Sequence, residues 1–276
     1  MTQNFNVGCL QFCADNDLEV NLKLAEKLTR QSAEAGADLI CLPEYFSAIE
    51  IDDQSTLKNA RLEEQHPVLS QFKVLAKELS VWIQIGSMPI RVNEIQVNNR
   101  AFLINSDGKI TARYNKIHLF DVMLNKGESY HESDVVMPGT EAVVAKTPWG
   151  KLGMSVCYDV RFADQYRAMA KKGADFLTVP AAFTQTTGQA HWHTLLRARA
   201  IETGCYVFAA SQNGVRHTGR ATYGHSLIID PWGVILADAG EEDGFIIAEI
   251  DPAKIQEARE MIPALQHDRE YNIRVN

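Results

Sequence analysis

The sequence predicts an α/β protein in which two sheets pack together and helices cover their outer sides, a four-layer α-β-β-α sandwich. Short β-branched and apolar runs alternate with longer helical patterns, first at residues 5–12, 18–35 and 38–42. The chain also repeats itself, because residues 36–46 and 173–183 both read G-A-D-x4-P-x2-F. Two internally related halves would each supply one sheet and its helices.

The elements follow in the same order in both halves. A helical pattern ends at Gly36 and again at Gly173, where a left-handed C-cap is preferred, and a strand stopped by proline comes next. Further on, residues 102–110 and 227–235 each carry two strand patterns around a turn signal, which predicts a hairpin. No linker or low-complexity tract interrupts the chain, so we predict one domain over residues 1–276.

Composition excludes several classes of function. Lys and Arg total 27 against 35 Asp and Glu, a net charge of −8 without a basic run, so no nucleic-acid partner is expected. No apolar stretch approaches the ~20 residues that cross a bilayer, and the N-terminus lacks the features of a secretory signal. The five cysteines do not form a disulfide framework pattern. We therefore expect a cytoplasmic protein with reduced thiols and no membrane partner.

One cysteine lies where a nucleophile would be placed. Cys157 follows an apolar strand pattern and precedes a helical pattern that starts near Arg161. At a strand-to-helix turn a thiol is presented at the edge of the sheet, and the next backbone N–H, that of Tyr158, can face a developing oxyanion. Amides at a helix N-terminus would also favour the thiolate.

The histidines offer no clear base for this thiol. The candidates for a papain-like pair, none of them in a recognisable signature, are His118, His131, His191, His193 and His225. His191 and His193 are two residues apart, a spacing that a helix points to different faces. We therefore predict neither a metal site nor a metal cofactor.

A carboxylate is better placed as the base. Glu44 comes directly after the proline that ends its strand, where the second repeat has Ala181. This asymmetry between the halves indicates that Glu44 belongs to a functional site and does not have a purely structural role. Lys116 lies where a hairpin strand ends and a long irregular stretch begins. Taken alone, such a lysine is ordinarily solvated.

Three segments together carry a family resemblance. Residues 42–46 read LPEYF, residues 114–121 read YNKIHLFD and residues 156–162 read VCYDVRF. In order and spacing they resemble the Glu-Lys-Cys motifs of the nitrilase-like carbon-nitrogen hydrolase superfamily. The chain looks most like its branch of small amidases that act on deaminated glutathione or α-ketoglutaramate. Similarity to the family covers essentially the whole chain, continuing through residues 180–183, 190–193, 197–202 and 224–233.

The resemblance implies hydrolysis of a small carboxylate-bearing amide without a cofactor, by a homodimer or larger even assembly. Glu44 would take the proton of Cys157, the thiolate would attack the carbonyl, and Lys116 with the Tyr158 N–H would hold the oxyanion. Glu44 would then protonate departing ammonia and activate the water that hydrolyses the thioester. Substitution of any member of the triad is expected to abolish turnover without unfolding the protein.

A second acid would help to hold the lysine charged and oriented. Glu128 and Glu132 both lie in the irregular stretch after it. The family's second glutamate corresponds better to Glu132, by its distance from the lysine and by the Glu-Ser dipeptide before a Pro-Gly. Glu128 is the alternative candidate for the second acid. If it does not have that role, it is a solvated acidic residue of the loop.

Substrate-binding residues are expected on either side of the nucleophile. Arg161 would fork its guanidinium onto a substrate carboxylate, while Phe183 and Thr184 line the pocket beside the scissile bond. The structural alternative for Arg161 is an ion pair with Asp159 or Asp164.

The residues alone do not exclude several other functions. An amidase of α-ketoglutaramate, a nitrilase or a carbamoyl-amide hydrolase could use the same triad, since three residues do not choose the electrophile. A catalytically silent interaction module is the alternative from another class. Thiol alkylation would discriminate, because a catalytic Cys157 should react well ahead of the other four cysteines near neutral pH.

Overall fold

The computed structural model describes residues 3–50, 52–124, 128–216 and 218–275. The strands are β1 (Phe5–Gln11), β2 (Leu39–Cys41), β3 (Trp82–Arg91), β4 (Val97–Ile104), β5 (Ile110–Asn115), β6 (Asp121–Met123), β7 (Ser129–His131), β8 (Val143–Thr147), β9 (Gly150–Met154), β10 (Phe176–Thr178), β11 (Tyr206–Ala209), β12 (Leu227–Ile229), β13 (Ile235–Asp238) and β14 (Gly244–Ile250). The helices are α1 (Leu18–Glu34), α2 (Asp53–Asn59), α3 (Pro67–Leu79), α4 (Ala163–Lys171), α5 (Gln185–Thr203) and α6 (Ala253–Met261).

The strands form two six-stranded sheets, with orders β14-β1-β2-β3-β4-β5 and β13-β12-β11-β10-β9-β8, beside the small hairpin β6-β7. The internal repeat is confirmed in this topology. In the first half β1, α1, β2, α3 and β3 lead to the hairpin β4-β5, and in the second half β9, α4, β10, α5 and β11 lead to the hairpin β12-β13. β14 and β8 add antiparallel to β1 and β9, so the two sheets correspond strand by strand.

The predicted helix ends are confirmed at both glycines. Gly36 has φ +95° just after α1, and Gly173 has φ +87° just after α4. Both values lie in the left-handed region that a side chain disfavours. Each helix therefore stops in time for the chain to return into a parallel strand.

Side chains alternate between the two faces of each strand, and this alternation produces the four layers. On β1, Phe5 and Val7 pack into a core shared with the second sheet, whereas Leu10 packs with Phe72 of α3 in a separate core under the first helices. The Phe5 ring lies edge-on to Phe176 of β10, with ring centroids 5.3 Å apart. The predicted α-β-β-α sandwich is confirmed. No helix among the described residues is long and apolar enough to span a bilayer.

Candidate active site

The site lies where equivalent strand ends of the two halves meet. Glu44 follows β2 in the first sheet, and Ala182 follows the corresponding strand β10 in the second sheet. The backbone N–H of Ala182 donates a hydrogen bond of 2.8 Å to Glu44 Oε2. Lys116 comes directly after β5, and Cys157 follows β9. Packing of the two sheets therefore brings Glu44 to Cys157 and Ala182, which are both more than a hundred positions away in sequence.

Lys116 lies between two glutamates in the buried floor of the site. Its Nζ is 3.1 Å from Glu44 Oε1 and 2.7 Å from Glu132 Oε2. The side chains of Lys116 and Glu44 are each only 2% exposed. The structure thus brings Glu132, and not Glu128, to the lysine. Glu128 instead accepts a hydrogen bond of 2.6 Å from the Tyr130 hydroxyl.

Electrostatics keep the lysine and its base charged. Burial by itself lowers the pKa of Lys116, but Glu132 and Glu44 outweigh it and leave that pKa well above its ordinary value. Burial likewise raises the pKa of Glu44, but the charge of Lys116 and hydrogen bonds with Cys157 and the Ala182 N–H outweigh it and leave that pKa lowered. The resting site therefore holds an ionised Glu44 beside an ammonium.

The Cys157 thiol, in contrast, is protonated at rest. Burial and the charge of Glu44 raise its pKa well above 9.0, and the opposing effect of Lys116 does not compensate. The expectation of a favoured thiolate is therefore wrong, because burial and the charge of Glu44 outweigh the effects that lower this pKa. A 3₁₀ turn covers Cys157–Arg161, and α4 begins at Ala163. Because this pKa is raised, Cys157 is no longer expected to alkylate well ahead of the other cysteines near neutral pH, although at 8% exposure it is less buried than Cys9, Cys41 and Cys205.

The nucleophile turn has a strained backbone held from two sides. Cys157 has φ +51°, an uncommon value for a residue with a side chain. Its N–H donates to the Pro180 carbonyl at 2.8 Å, and the Val156 N–H donates to Asp159 Oδ2 at 2.8 Å. The first hydrogen bond within the turn runs from the Asp159 N–H to the Val156 carbonyl. The Tyr158 N–H comes before it, at a position where turns leave donors for other acceptors.

Asp159 joins the nucleophile turn to the lysine segment. This fully buried carboxylate accepts hydrogen bonds from the Tyr114 hydroxyl at 2.7 Å and from the His118 N–H at 3.0 Å. The His118 ring Nδ1 also lies 2.8 Å from it. Asp159 is therefore not the partner of Arg161, and His118 is committed to positioning rather than to a base for the thiol.

Asn99 is a site residue that sequence reasoning missed. It lies on β4, fully buried, and its Nδ2 donates to Glu44 Oε1 at 2.9 Å and to Glu132 Oε1 at 3.1 Å. The single amide thereby fixes both carboxylates around the lysine. The signal that could have found it is the run of three polar residues, Asn98, Asn99 and Arg100, near the start of an otherwise apolar strand.

Replacing Asn99 by alanine is expected to lower kcat/KM roughly 10-fold and to move its acid limb to higher pH. Glu44 can act as the predicted base only when ionised, so kcat/KM is expected to fall as pH drops through the Glu44 pKa, which is lowered from its ordinary value. Removing a donor to the ionised form raises that pKa. A pH profile with a neutral amide measures the shift. The matched control is Asn98→Ala, whose Nδ2 donates instead to the Met137 carbonyl, and an identical profile in both variants would contradict the expectation.

A cavity of about 210 Å³ opens above these groups. Tyr158, Phe183 and Thr184 are among the residues that line it, together with the catalytic candidates. Arg161 is not among its lining residues in the described part of the chain. The Arg161 guanidinium carbon lies 5.7 Å and 5.3 Å from the ring centroids of Tyr158 and Phe183, two residues that do line the cavity. The arginine that does line the cavity is Arg220.

The other predicted histidines lie apart from this cavity or at its edge. His131 lines it, and His191 lies 3.3 Å from an Arg161 nitrogen. His193 and His225 both contact Asp238, at 3.1 Å and 2.9 Å, and these three could hold a metal ion. That group is not among the cavity-lining residues, and mutual hydrogen bonding accounts for its geometry.

Comparison with known proteins adds three findings. A sequence model described as carbon-nitrogen hydrolase matches residues 6–260. A deaminated glutathione amidase of Synechocystis sp. is 42% identical over 268 residues, which cover 94% of this chain and 96% of that protein. Two solved structures are similar as well.

The first is the NitFhit protein of C. elegans, with a TM-score of 0.91 and 37% identity over 97% of this chain and 66% of that longer chain. The second is a mutant of an amidase from Nesterenkonia sp., with a TM-score of 0.81 and 25% identity over 96% of this chain and 94% of that one. In that amidase the acetamide moiety of fluoroacetamide is covalently added at the active-site cysteine.

Proposed function

This chain belongs to the carbon-nitrogen hydrolase family and is an amidase, and we propose that it hydrolyses deaminated glutathione through a thioester on Cys157. One observation carries the mechanism: buried Lys116 is held between Glu44 and Glu132 at the floor of a cavity that Cys157 also lines. The substrate is proposed from the similarity to an amidase with that name. The cysteine adduct of the related Nesterenkonia amidase supports covalent chemistry.

Acylation begins with Glu44 ionised and the thiol protonated. As the sulfur attacks the amide carbon, its proton passes to Glu44 and the carbonyl π electrons move to oxygen. Lys116 and the Tyr158 N–H stabilise the oxyanion, and Glu132 holds the lysine in place. Because the thiolate forms only as the bond forms, burial of the thiol does not prevent the reaction.

The tetrahedral intermediate then collapses to the thioester. The C–N bond breaks, and protonated Glu44 delivers its proton to the leaving nitrogen. Deaminated glutathione is a secondary amide, so its leaving group is the amine of cysteinylglycine rather than ammonia. Ammonia leaves from primary amides such as α-ketoglutaramate. A water that gives its proton to Glu44 attacks the thioester, and the thiol leaves with that proton.

The experiment compares kcat/KM across deaminated glutathione, α-ketoglutaramate, simple aliphatic amides and nitriles. Formation of 2-oxoglutarate reports the first two substrates, and ammonia reports the others. We expect the highest value for deaminated glutathione. A higher value for α-ketoglutaramate or for a nitrile would reassign the substrate within the family, and no turnover of any compound would support a silent interaction module.

We further propose that the chain forms a homodimer or a larger even assembly in the cytoplasm. All five cysteines are free thiols, which suits a reducing compartment. Ile201, Trp232 and Ile262 are each about half exposed, at 52%, 51% and 57%, and line one cleft. Apolar surface of this kind favours contact with another protein, and symmetric pairing is the commonest arrangement.

Light scattering at micromolar concentration is expected to give about twice the chain mass of 30.8 kDa. Trp232→Glu should shift the mass towards that of one chain, because a charge would be buried in the pair. The control is Val74→Glu, a residue that is 66% exposed and lies on α3 in the other half. A wild-type mass of one chain would overturn the proposal.

A further inference from the structure

We propose that His193, His225 and Asp238 form a binding site for a zinc ion, which links helix α5 to the end of the hairpin β12-β13. The site is independent of the proposed function, because none of these three side chains lines the cavity that holds Cys157. Three observations carry the inference: the distances between the donor atoms, the contacts that orient them, and the kind of ion that they suit.

The ligands come from three separate elements of the second half. His193 lies in the middle of α5, and His225 comes two residues before β12. Asp238 is the last residue of β13, the edge strand of its sheet. From the sequence, only the closely spaced pair His191 and His193 could be weighed as ligands, and a helix points them to different faces. The fold instead brings His193 to a histidine and a carboxylate of another element.

The donor atoms lie at distances that suit one small cation. Asp238 Oδ2 is 3.1 Å from His193 Nε2 and 3.2 Å from His225 Nδ1. One donor atom from each of the three residues lies within 4.8 Å of the others. Zinc binds histidine nitrogen and carboxylate oxygen at about 2.0 to 2.2 Å, so neighbouring ligands of a tetrahedral ion are about 3.3 Å apart. The two distances to the carboxylate oxygen already approach that value.

Both imidazole nitrogens are directed at the carboxylate. Each makes a hydrogen-bond contact with Asp238, and a ring nitrogen has its lone pair in that same direction when the proton lies on the other nitrogen. The second carboxylate oxygen, Oδ1, accepts a hydrogen bond of 2.9 Å from the Gly240 N–H. Such a hydrogen bond orients a carboxylate as a metal ligand. The hydrogen bonds that account for this arrangement therefore also pre-organise it for a cation.

Aromatic packing restrains the two imidazole rings. The Tyr223 ring stacks on the His225 ring with centroids 4.5 Å apart, and it meets the His193 ring edge-on at 5.9 Å. Trp192 donates its Nε1–H to the His225 carbonyl at 2.8 Å, which ties α5 to the segment before β12. Ligands that are already held lose little conformational freedom when an ion binds.

The donor set favours zinc over calcium or magnesium. Imidazole nitrogen suits zinc and its transition-metal neighbours, whereas calcium and magnesium prefer oxygen ligands. The side chains of His193, His225 and Asp238 are 30%, 21% and 33% exposed, so an ion can enter from solvent and water can fill its fourth position. Within the described part of the chain, Asp238 forms ion pairs with these two histidines and with no lysine or arginine. No fixed cation therefore competes with the metal.

Zinc binding is measured by calorimetry, with zinc chloride titrated into Cys157→Ala, a parent that lacks the thiol of the cavity as a competing ligand. We expect one ion per chain with a dissociation constant on the order of 1 μM. In this parent, His193→Ala and His225→Asn should each weaken binding about 100-fold, because each removes one of three protein ligands. Asparagine is used at position 225 because it tolerates the backbone φ of +52° found there.

The matched control is His191→Ala. His191 is an exposed histidine on the same helix, but it contacts Arg161 and not the proposed ligands. This variant should bind zinc as the parent does. At a free zinc concentration of about 100 times the dissociation constant, the midpoint of thermal unfolding should rise by about 5 °C in the parent and in this control. It should not rise in the two ligand variants, and circular dichroism before zinc is added shows that each is folded.

Two outcomes would overturn the inference. One is a parent that binds no zinc. The other is zinc binding with the same affinity in the parent, in His193→Ala and in His225→Asn, which would place the ion elsewhere on the chain. Neither readout depends on turnover, so the zinc site stands or falls separately from the proposed amidase substrate.

Discussion

Cys157→Ala is expected to reduce turnover of every amide to background, a loss of more than about 10⁴-fold. In the proposed mechanism the thioester forms at this sulfur, and no other described residue that lines the cavity offers a thiol. Glu44→Gln should have a comparable effect, because an amide cannot take the thiol proton that Glu44 takes in the first step. Product release at saturating substrate measures the loss, and circular dichroism reports the fold.

The control for the nucleophile is Cys205→Ala. Cys205 is also a fully buried thiol, but it lies between α5 and β11 and its sulfur donates to the Ala174 carbonyl at 3.2 Å. Its removal should change stability more than turnover. Activity that persists in Cys157→Ala would reject the thioester mechanism, and activity that persists only in Glu44→Gln would assign the base to another group.

Lys116→Met is expected to abolish turnover and also to lower the free energy of unfolding by about 3 to 5 kcal/mol. The sequence suggested that each triad variant would fold normally. Burial changes this expectation for the lysine, because its removal leaves Glu44 and Glu132 facing each other without a cation. Urea unfolding followed by circular dichroism measures the loss. The paired variant Lys116→Met/Glu132→Gln should recover part of it, since only one carboxylate remains.

The lost stability should depend on pH with a definite sign. In the single variant one carboxylate takes a proton, so its pKa in the folded protein is raised above the unfolded value near 4.5. Such a group disfavours the folded state progressively as pH rises above the unfolded pKa. The loss in free energy of unfolding relative to the wild type is therefore expected to be smaller at about pH 5 than at about pH 8. An equal deficit at both pH values, or no recovery in the paired variant, would mean that the two carboxylates do not repel each other.

The fold could be predicted from the sequence because its determinants are local. Glycines at the ends of α1 and α4, prolines after β2 and β10, and turn residues in the two hairpins mark the elements independently of packing. Two copies of one pattern then indicate two equivalent sheets. The helix predicted to start near Arg161 begins at Ala163, and the sequence pattern did not show the 3₁₀ turn over Cys157–Arg161 that precedes it.

The sequence by itself predicted Glu44, Lys116 and Cys157 as the triad, since their residue types at strand ends match the motifs of a family. Tertiary structure decided the surroundings in which the proposed mechanism places them. The ionisation of the thiol and of Glu44 depends on burial and on charges brought by other strands, neither of which is visible along the chain. The same holds for the contacts of Asn99 and for the presence of Arg220, and not Arg161, among the described cavity-lining residues, because the direction of a long side chain is fixed only by the surfaces that pack around it.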